Sequence, residues 1–325
     1  MRRGMKGMNL LVVLLVVGVF VVTPASVKAF PNKPISLVTW SSPGGGGDVL
    51  GRNLQRPLSK IAGQRVIIVN KPGGSGAVAM EYAEKMKPDG HQLLIVTLSG
   101  IITPHVAGTR LSVADFKGLI RVQLDPEVLM VRGDSPYKNA KDAIEAKKAD
   151  PGGIKFAGAF LGNLDSLLCY QLFKAAGIEK YDYVPFSGGG EAMTALLGGH
   201  VQVLFGNPSE VAPQVESGQI RLISIATPER LPGLPNVPTL KEQGYDIEGV
   251  LWRGIVAPPG TPDDRIMIMN QLVKTAMQDP EFVKYTERSQ LSDGYLTPEQ
   301  FHNNNQKQYK AYGEIIEKMG IRKKK

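Results

Sequence analysis

Cysteine and histidine are scarce in this sequence of 325 residues, which has one cysteine and four histidines. The single cysteine, Cys169, excludes an intramolecular disulfide. The sequence also lacks the His-Glu-x-x-His and Cys-x-x-Cys motifs of metal sites, the EF-hand calcium loop and the Gly-x-Ser-x-Gly elbow of serine hydrolases. From these absences we expect no metal, no other cofactor and no enzymatic activity.

Long apolar segments are absent beyond the N-terminus. The one long run, 10–22, follows Arg2, Arg3 and Lys6 and precedes a small-residue site that ends at Ala29. This run is shorter than the roughly 20 residues needed to span a bilayer, but it matches the apolar core of a secretory signal peptide. We therefore predict that residues 1–29 are cleaved after about Ala29 and that the mature chain is periplasmic.

The positive charge of the chain is concentrated at its two ends. Of the formal net charge of +8, half comes from Arg2, Arg3, Lys6 and Lys28 in the predicted signal peptide, which has no acidic residue. The other half is matched by the four basic residues 322–325. Because no basic cluster remains in the body of the chain, we predict no nucleic-acid partner.

Short β-branched runs alternate with helical segments, a pattern typical of parallel strands joined by crossover helices. The alternation runs through 35–97, restarts at residue 140 and continues to 226. Since domains commonly have about 100–200 residues, we expect an α/β fold of two lobes, each a mostly parallel sheet flanked by helices. The predicted first lobe consists of 30–129 and 252–325, and the second of 130–251.

Four strand-to-helix junctions are rich in glycine. In open α/β sheets, ligands bind beyond the carboxyl ends of the strands, where such junctions lie. A helix start presents unpaired N–H groups and a positive dipole end, and glycine lets an anion approach them closely. A tight turn without a ligand explains any single junction equally well, but two junctions per lobe favour an anion-binding cleft. The junctions are 41–48, 71–76, 158–163 and 187–190.

Two nucleotide-binding motifs bear on the kind of anion that these junctions could bind. The sequence has no P-loop, so the lysine that binds nucleotide phosphates is missing. Residues 74–79 match the dinucleotide fingerprint, but no acidic residue follows the next strand at Thr97, and an exported protein rarely meets a nicotinamide cofactor. Asp48 and Asp165 could form an acid/base pair, yet both stand where helix N-caps belong. We predict an anion other than a nucleotide, and capping roles for both aspartates.

A set of ordered motifs over essentially the whole mature chain resembles the tripartite tricarboxylate transporter receptors, the TctC/Bug family of periplasmic binding proteins. The resemblance implies a type II periplasmic-binding fold, whose two lobes are joined by crossing strands and close on a small carboxylate. It implies that backbone amides and water hold the carboxylate, rather than an arginine, and that the receptor delivers it to integral membrane transporter subunits. We expect a monomer. The motifs are 34–38, 43–49, 69–73, 88–91, 184–186, 196–201, 234–239 and 256–262.

The resemblance also implies which residues bind the ligand. It places them in the loop after the first strand, the loop after the third strand, and three loops of the second lobe. These candidate ligand-binding residues are Trp40, Ser41, Ser42, Gly44, Gly45, Gly46, Asp48, Thr97, Ser99, Gly100, Ala159, Gly162, Asn163, Phe186, Ser187, Gly188 and Asn207.

Several of these positions depart from the family pattern. Phe186 and Ser187 stand where tyrosine and lysine are usual, Gly206 replaces a frequent aspartate before Asn207, and Trp40 takes a position that is usually phenylalanine. Because most of these changes put a less polar side chain in place of a more polar one, we expect a site less polar than the family norm. The expected ligand is a smaller, aromatic or less charged acid rather than a tricarboxylate.

Two other functions stay open on the sequence alone. An exported hydrolase of a small ester or amide would need a nucleophile beside a base, and no such pair is evident in the sequence. A ligand sensor that feeds a signalling system would use the same fold as a transport receptor.

Overall fold

The computed structural model describes residues 30–180 and 182–319, so the predicted signal peptide lies outside the described residues. The strands are β1 (Ile35–Thr39), β2 (Val66–Asn70), β3 (Gln92–Thr97), β4 (Lys117–Pro126), β5 (Val128–Arg132), β6 (Phe156–Ala159), β7 (Val184–Phe186), β8 (Val203–Gly206), β9 (Ile220–Ile225), β10 (Val250–Ala257) and β11 (Ser292–Leu296). The helices are α1 (Gly46–Ala62), α2 (Ala77–Glu84), α3 (Ser99–Ala107), α4 (Ala140–Ala149), α5 (Leu164–Ala175), α6 (Gly189–Leu197), α7 (Pro208–Glu216), α8 (Asp263–Ala276), α9 (Pro280–Arg288) and α10 (Pro298–Met319).

The strands form two sheets, one in each lobe. The first sheet has the order β11-β4-β10-β3-β1-β2, and the second has the order β7-β6-β8-β5-β9. In the first, β1 pairs in parallel with β2 and β3, whereas β10 and β4 run antiparallel to their neighbours. In the second, β5 is antiparallel to β8 and β9. Most strands of each sheet therefore point in one direction, and the sheets are mixed because β10 and β11 in the first and β5 in the second run the opposite way.

The chain crosses between the lobes at two adjacent places. Glu127 separates β4 of the first sheet from β5 of the second, and its carbonyl accepts a hydrogen bond from Ala226 N–H at 2.8 Å. Ala226 in turn accepts from Gly249 N–H at 2.8 Å, just before β10 returns to the first sheet. The lobe boundaries predicted at 129/130 and 251/252 fall inside β5 and β10. We therefore propose boundaries at Glu127 and at Gly249, where the strand pairing changes sheet.

The C-terminal helices pack on the first lobe. Asn270 on α8 donates to the carbonyl of Leu119 on β4 at 2.9 Å. Phe301 on α10 is fully buried against Trp252 of β10, with their ring centroids 5.1 Å apart. Burial of these large apolar side chains fixes the helices on the sheet. Within the described residues no helix is long and apolar enough to cross a membrane.

Candidate functional site

A small cavity lies between the lobes, beyond the carboxyl ends of β1, β3, β6 and β8. Its volume is about 30 Å³, enough for one or two water molecules. The two lobes touch around it, so a larger ligand requires them to separate. The cavity is lined by Trp40, Ser41, Gly46, Thr97, Ser99, Ala159, Phe160, Asn163, Asp165, Gly188, Gly189, Gly206, Asn207, Glu210, Leu251 and Arg253.

About half of the candidate ligand-binding residues line this cavity. They are Trp40, Ser41, Gly46, Thr97, Ser99, Ala159, Asn163, Gly188 and Asn207. The remaining candidates do not line the cavity. They are Ser42, Gly44, Gly45, Asp48, Gly100, Gly162, Phe186 and Ser187.

The first loop carries the chain from β1 into α1. The helix begins at Gly46 with Gly45 as its N-cap, which offers no side-chain cap. The prediction that Asp48 is the N-cap is wrong, because the glycines extend the helix by a turn and place Asp48 inside it. The buried Asp48 carboxylate instead accepts hydrogen bonds from Gly44 N–H at 3.0 Å and from the side chains of Arg52 and Asn70. It braces the loop and does not face the cavity.

The first amides of α1 have different partners. The Gly47 N–H donates to Oγ of Ser41 at 3.0 Å, within the same loop. The Gly46 N–H donates at 2.7 Å to Oε1 of Glu210, which belongs to the other lobe. The start of α1 therefore already binds a carboxylate oxygen, which the amide and the positive dipole end of a helix start favour.

The junction between β6 and α5 is built differently. Asn163 is the N-cap of α5, and its side-chain oxygen accepts from Ser166 N–H at 2.9 Å. The predicted capping role of Asp165 is thus wrong. Its buried carboxylate belongs to the second residue of the helix, faces the cavity and accepts from Ala159 N–H at 2.9 Å. Burial raises the pKa of Asp165 from 3.8 to about 7, and the nearby Glu210 adds to this shift.

Contacts between loops of opposite lobes close the cavity. A methyl group on Gly188 would lie 2.6 Å from Oγ of Ser42, and one on Gly190 would lie 2.8 Å from the carbonyl oxygen of Pro43. Only glycine permits so close an approach of the two lobes at these positions. Ser187 is exposed and hydrogen-bonds to Glu191, away from the cavity.

A buried cluster of charged residues forms one wall of the cavity. Arg253 on β10 is 2% exposed and donates from Nε and Nη2 to Oδ2 of Asp125 at 3.0 and 2.6 Å. Its Nη2 also contacts Oδ1 of Asn207 at 3.1 Å and Oε1 of Glu210 at 3.3 Å. The Asn207 amide donates to Oε1 of Glu127 at 3.2 Å. One guanidinium therefore links strands of the first lobe to α7 of the second.

The pKa values in this cluster depend on burial and on the excess of acidic side chains over the single arginine. Burial raises the pKa of Asp125 and of Glu210, and Arg253 only partly opposes it. The pKa of Glu127 is raised well above its ordinary value by burial and then by the neighbouring acids, Asp165 first. Burial alone would lower the pKa of Arg253, but Asp125 and Glu210 outweigh it and raise that pKa. The guanidinium is thus permanently charged.

The cluster places charged side chains in the lining of the cavity, among them Arg253, Asp165 and Glu210. Arg253, Asp125 and Glu210 were not predicted, because the candidate residues came mainly from the glycine-rich loops. A signal was present in the sequence, since Arg253 interrupts the apolar run of β10, and Asp125 and Glu127 interrupt that of β4 and β5. A charge within a buried strand is rare unless it is paired.

Nothing in the described ranges forms a metal centre, since no group of three or more histidine, cysteine or acidic residues could hold an ion there. Cys169 is buried on α5, and burial raises the pKa of its thiol well above the ordinary value. The thiol is thus protonated, and Cys169 packs as a small apolar side chain.

Known proteins are similar to this chain in sequence and in architecture. The model of the tripartite tricarboxylate transporter family receptors matches residues 50–321. A Cupriavidus necator protein, described as UPF0065 protein in gbd 5'region, is 32% identical over 303 residues, covering 92% of each chain. The structure of the periplasmic binding protein BugD has a TM-score of 0.85 at 25% identity and covers 91% of this chain and 100% of that chain. The structure of R. palustris Rpa4515 with adipate has a TM-score of 0.83 at 25% identity, covering 90% and 98%.

Two lobes joined by strand crossings, with a cavity between loops at the carboxyl ends of their strands, define the two-lobed fold of periplasmic binding proteins. The chain belongs to the tripartite tricarboxylate transporter receptor family, whose model spans most of its length. The predicted fold class and the predicted family are both confirmed.

Proposed function

We propose that this chain is a periplasmic receptor that captures a small organic carboxylate between its lobes and delivers it to a tripartite tricarboxylate-type membrane transporter. The observation that carries the proposal is the contact between Gly46 N–H and a carboxylate oxygen at the start of α1. A helix start with unpaired amides and a positive dipole end is suited to an anion. The structural relative solved with adipate supports a dicarboxylate as the first ligand to test.

The cavity walls indicate how such a ligand would be held. We propose that its carboxylate binds the first turn of α1, while Trp40 and Phe160 contact its apolar part. Thr97, Ser99 and Asn163 offer hydrogen-bonding groups around it. Closure of the lobes on the ligand would produce the surface that the membrane subunits recognise, because the ligand stabilises the conformation that it binds best. The receptor acts as an exported monomer in this proposal.

Thermal-shift measurements on the mature chain test the proposal. We expect adipate, or another member of a panel of mono-, di- and tricarboxylates, to raise the melting temperature in a concentration-dependent manner, because a ligand that binds only the folded state stabilises it by mass action. If no carboxylate in the panel raised the melting temperature at millimolar concentration, the proposed ligand class would be wrong.

The substitution Gly46→Ala locates the binding site. A methyl group at this position would lie 2.1 Å from Cζ of Arg253, so it would displace the guanidinium and cover the amide. We expect affinity for the active carboxylate to fall at least about tenfold, which corresponds to about 1.4 kcal/mol. Gly152→Ala is the matched control, because Gly152 is exposed and its methyl group would meet no atom within 4 Å. Equal affinities of the two variants by calorimetry would exclude α1 as the anion site.

A further inference from the structure

Glu210 occupies the position that the proposed ligand carboxylate would take. It lies on α7 of the second lobe, whereas both of its partners, Gly46 and Arg253, belong to the first. The Glu210 carboxylate therefore bridges the lobes by binding the helix start and the guanidinium together. A side chain of the protein makes the contacts expected of an anionic ligand.

The surroundings of this carboxylate leave room for little else. The guanidinium of Arg253 lies against Gly46, where any side chain would collide with it at 2.1 Å. On the opposite side, a methyl group on Gly189 would lie 1.5 Å from Oε2 of Glu210. Two glycines from opposite lobes thus enclose a space that fits one carboxylate between an amide donor and a guanidinium. Charge-assisted hydrogen bonds of this kind are stronger than neutral ones.

Glu210 is held less firmly than the other acid on Arg253. Asp125 is fully buried, contacts the guanidinium at 2.6 and 3.0 Å, and shares the first lobe with it. The Glu210 side chain is 11% exposed and contacts the guanidinium at 3.3 Å. When the lobes separate, Asp125 stays with Arg253 while α7 carries Glu210 away into solvent. Opening therefore frees the Gly46 amide and one side of the guanidinium.

We propose that Glu210 is an internal competitor of the ligand, and that the ligand carboxylate takes its place on Gly46 N–H and Arg253 when the lobes close. Glu210 then determines specificity, because only an acid that binds this position better than Glu210 does can be captured. The proposal rests on the proposed function, since it assumes that the receptor binds a carboxylate. It also assigns Arg253 as a ligand contact, in contrast to the arginine-free site implied by the family resemblance.

The test compares Glu210→Gln with Glu229→Gln, which makes the same change on an exposed side chain of the same lobe. Isothermal titration calorimetry with adipate is expected to show at least about tenfold tighter binding by Glu210→Gln, because a charged hydrogen bond no longer has to be broken. Glu229→Gln should bind adipate as the unmodified chain does. Glu210→Ala, which removes the carboxyl group entirely, should bind at least as tightly as Glu210→Gln.

Small-angle X-ray scattering gives a readout that needs no ligand. Without adipate, Glu210→Gln and Glu210→Ala are expected to have a larger radius of gyration than the unmodified chain and Glu229→Gln, because a bridge between the lobes is weakened. If adipate bound neither chain, the proposed function would fail for adipate, and the scattering alone would decide the role of Glu210. Unchanged or weaker adipate binding by Glu210→Gln would overturn the proposal, as would an unchanged radius of gyration where adipate does not bind.

Discussion

Arg253→Met is expected to lower the free energy of unfolding by about 3–5 kcal/mol. The substitution keeps much of the side-chain volume but removes the only cation in direct contact with Asp125 and Glu210 among the described residues. Asp125 is fully buried, so its charge would be left without compensation. Removing one partner of a buried pair costs much more than the pair itself contributes, because the remaining charge is neither solvated nor paired. Guanidinium chloride denaturation followed by circular dichroism measures the loss.

Arg288→Met is the matched control for this experiment. Arg288 also connects the lobes, through an ion pair with Glu216 at 2.5 Å, but both side chains are more than half exposed. An exposed pair of this kind contributes less than about 1 kcal/mol. A similar loss of stability in both variants would show that the position of the charge, buried or exposed, does not matter here, contrary to our expectation.

A double substitution separates the buried charge from the lost packing. Adding Asp125→Asn to Arg253→Met removes the uncompensated carboxylate while leaving an oxygen that can accept from Ser209, its neighbour at 2.5 Å. We expect the double variant to recover most of the lost stability, because the two sites are in contact and their effects are not additive. Additive losses would mean that Arg253 stabilises the protein by packing rather than by charge.

The parts of the fold with strong local signals could be predicted from the sequence. The mostly apolar run 250–257 indicates a strand, and β10 (Val250–Ala257) has these bounds. The sequence Thr297-Pro298-Glu299-Gln300 has the pattern of a capping box, and this box is present at the start of α10, with Thr297 N–H donating to the Gln300 side chain and Gln300 N–H donating to the Thr297 hydroxyl. In both cases the residues that determine the structure are neighbours in the chain.

Other elements depend on tertiary packing and were missed. Helix α3 contains Ile101, Ile102, Thr103 and Pro104, none of which favours a helix, yet all four are buried. Burial of this apolar segment against the rest of the lobe overrides its low helix propensity. The strands β4 and β5 were likewise not predicted, since the pattern of the sequence does not show which run pairs with which.

The candidate site also contains residues that the sequence could predict and residues that it could not. Gly46 and Asn163 could be predicted as parts of the cavity because they stand at strand-to-helix junctions, which topology brings to one end of each sheet. The ionic cluster could not, because Asp125, Glu210 and Arg253 come from separate segments of the chain. Their contact depends on the orientation of the two lobes, and no local pattern encodes that orientation.

Asp165→Asn is expected to stabilise the protein above pH 7 by up to about 4 kcal/mol, and to have little effect near pH 4. Burial raises the pKa of Asp165 from 3.8 to about 7, and Glu210 on α7 and Glu127 at the crossing interact with it unfavourably. Below pH 4 the carboxyl group is protonated in both the folded and the unfolded chain. Between pH 4 and 7 only the unfolded chain releases its proton, so the folded state loses stability as the pH rises.

The amide side chain of the variant removes this loss, because it keeps an oxygen for Ala159 N–H and carries no charge at any pH. The difference in unfolding free energy between Asp165→Asn and the unmodified chain should therefore grow from pH 4 to 7 and stay constant above it. Asp246→Asn serves as the control, since its side chain is 87% exposed and an exposed carboxylate is solvated in both states. Denaturation curves at unit steps of pH measure the difference, and a difference independent of pH would show that Asp165 is ionised throughout this range.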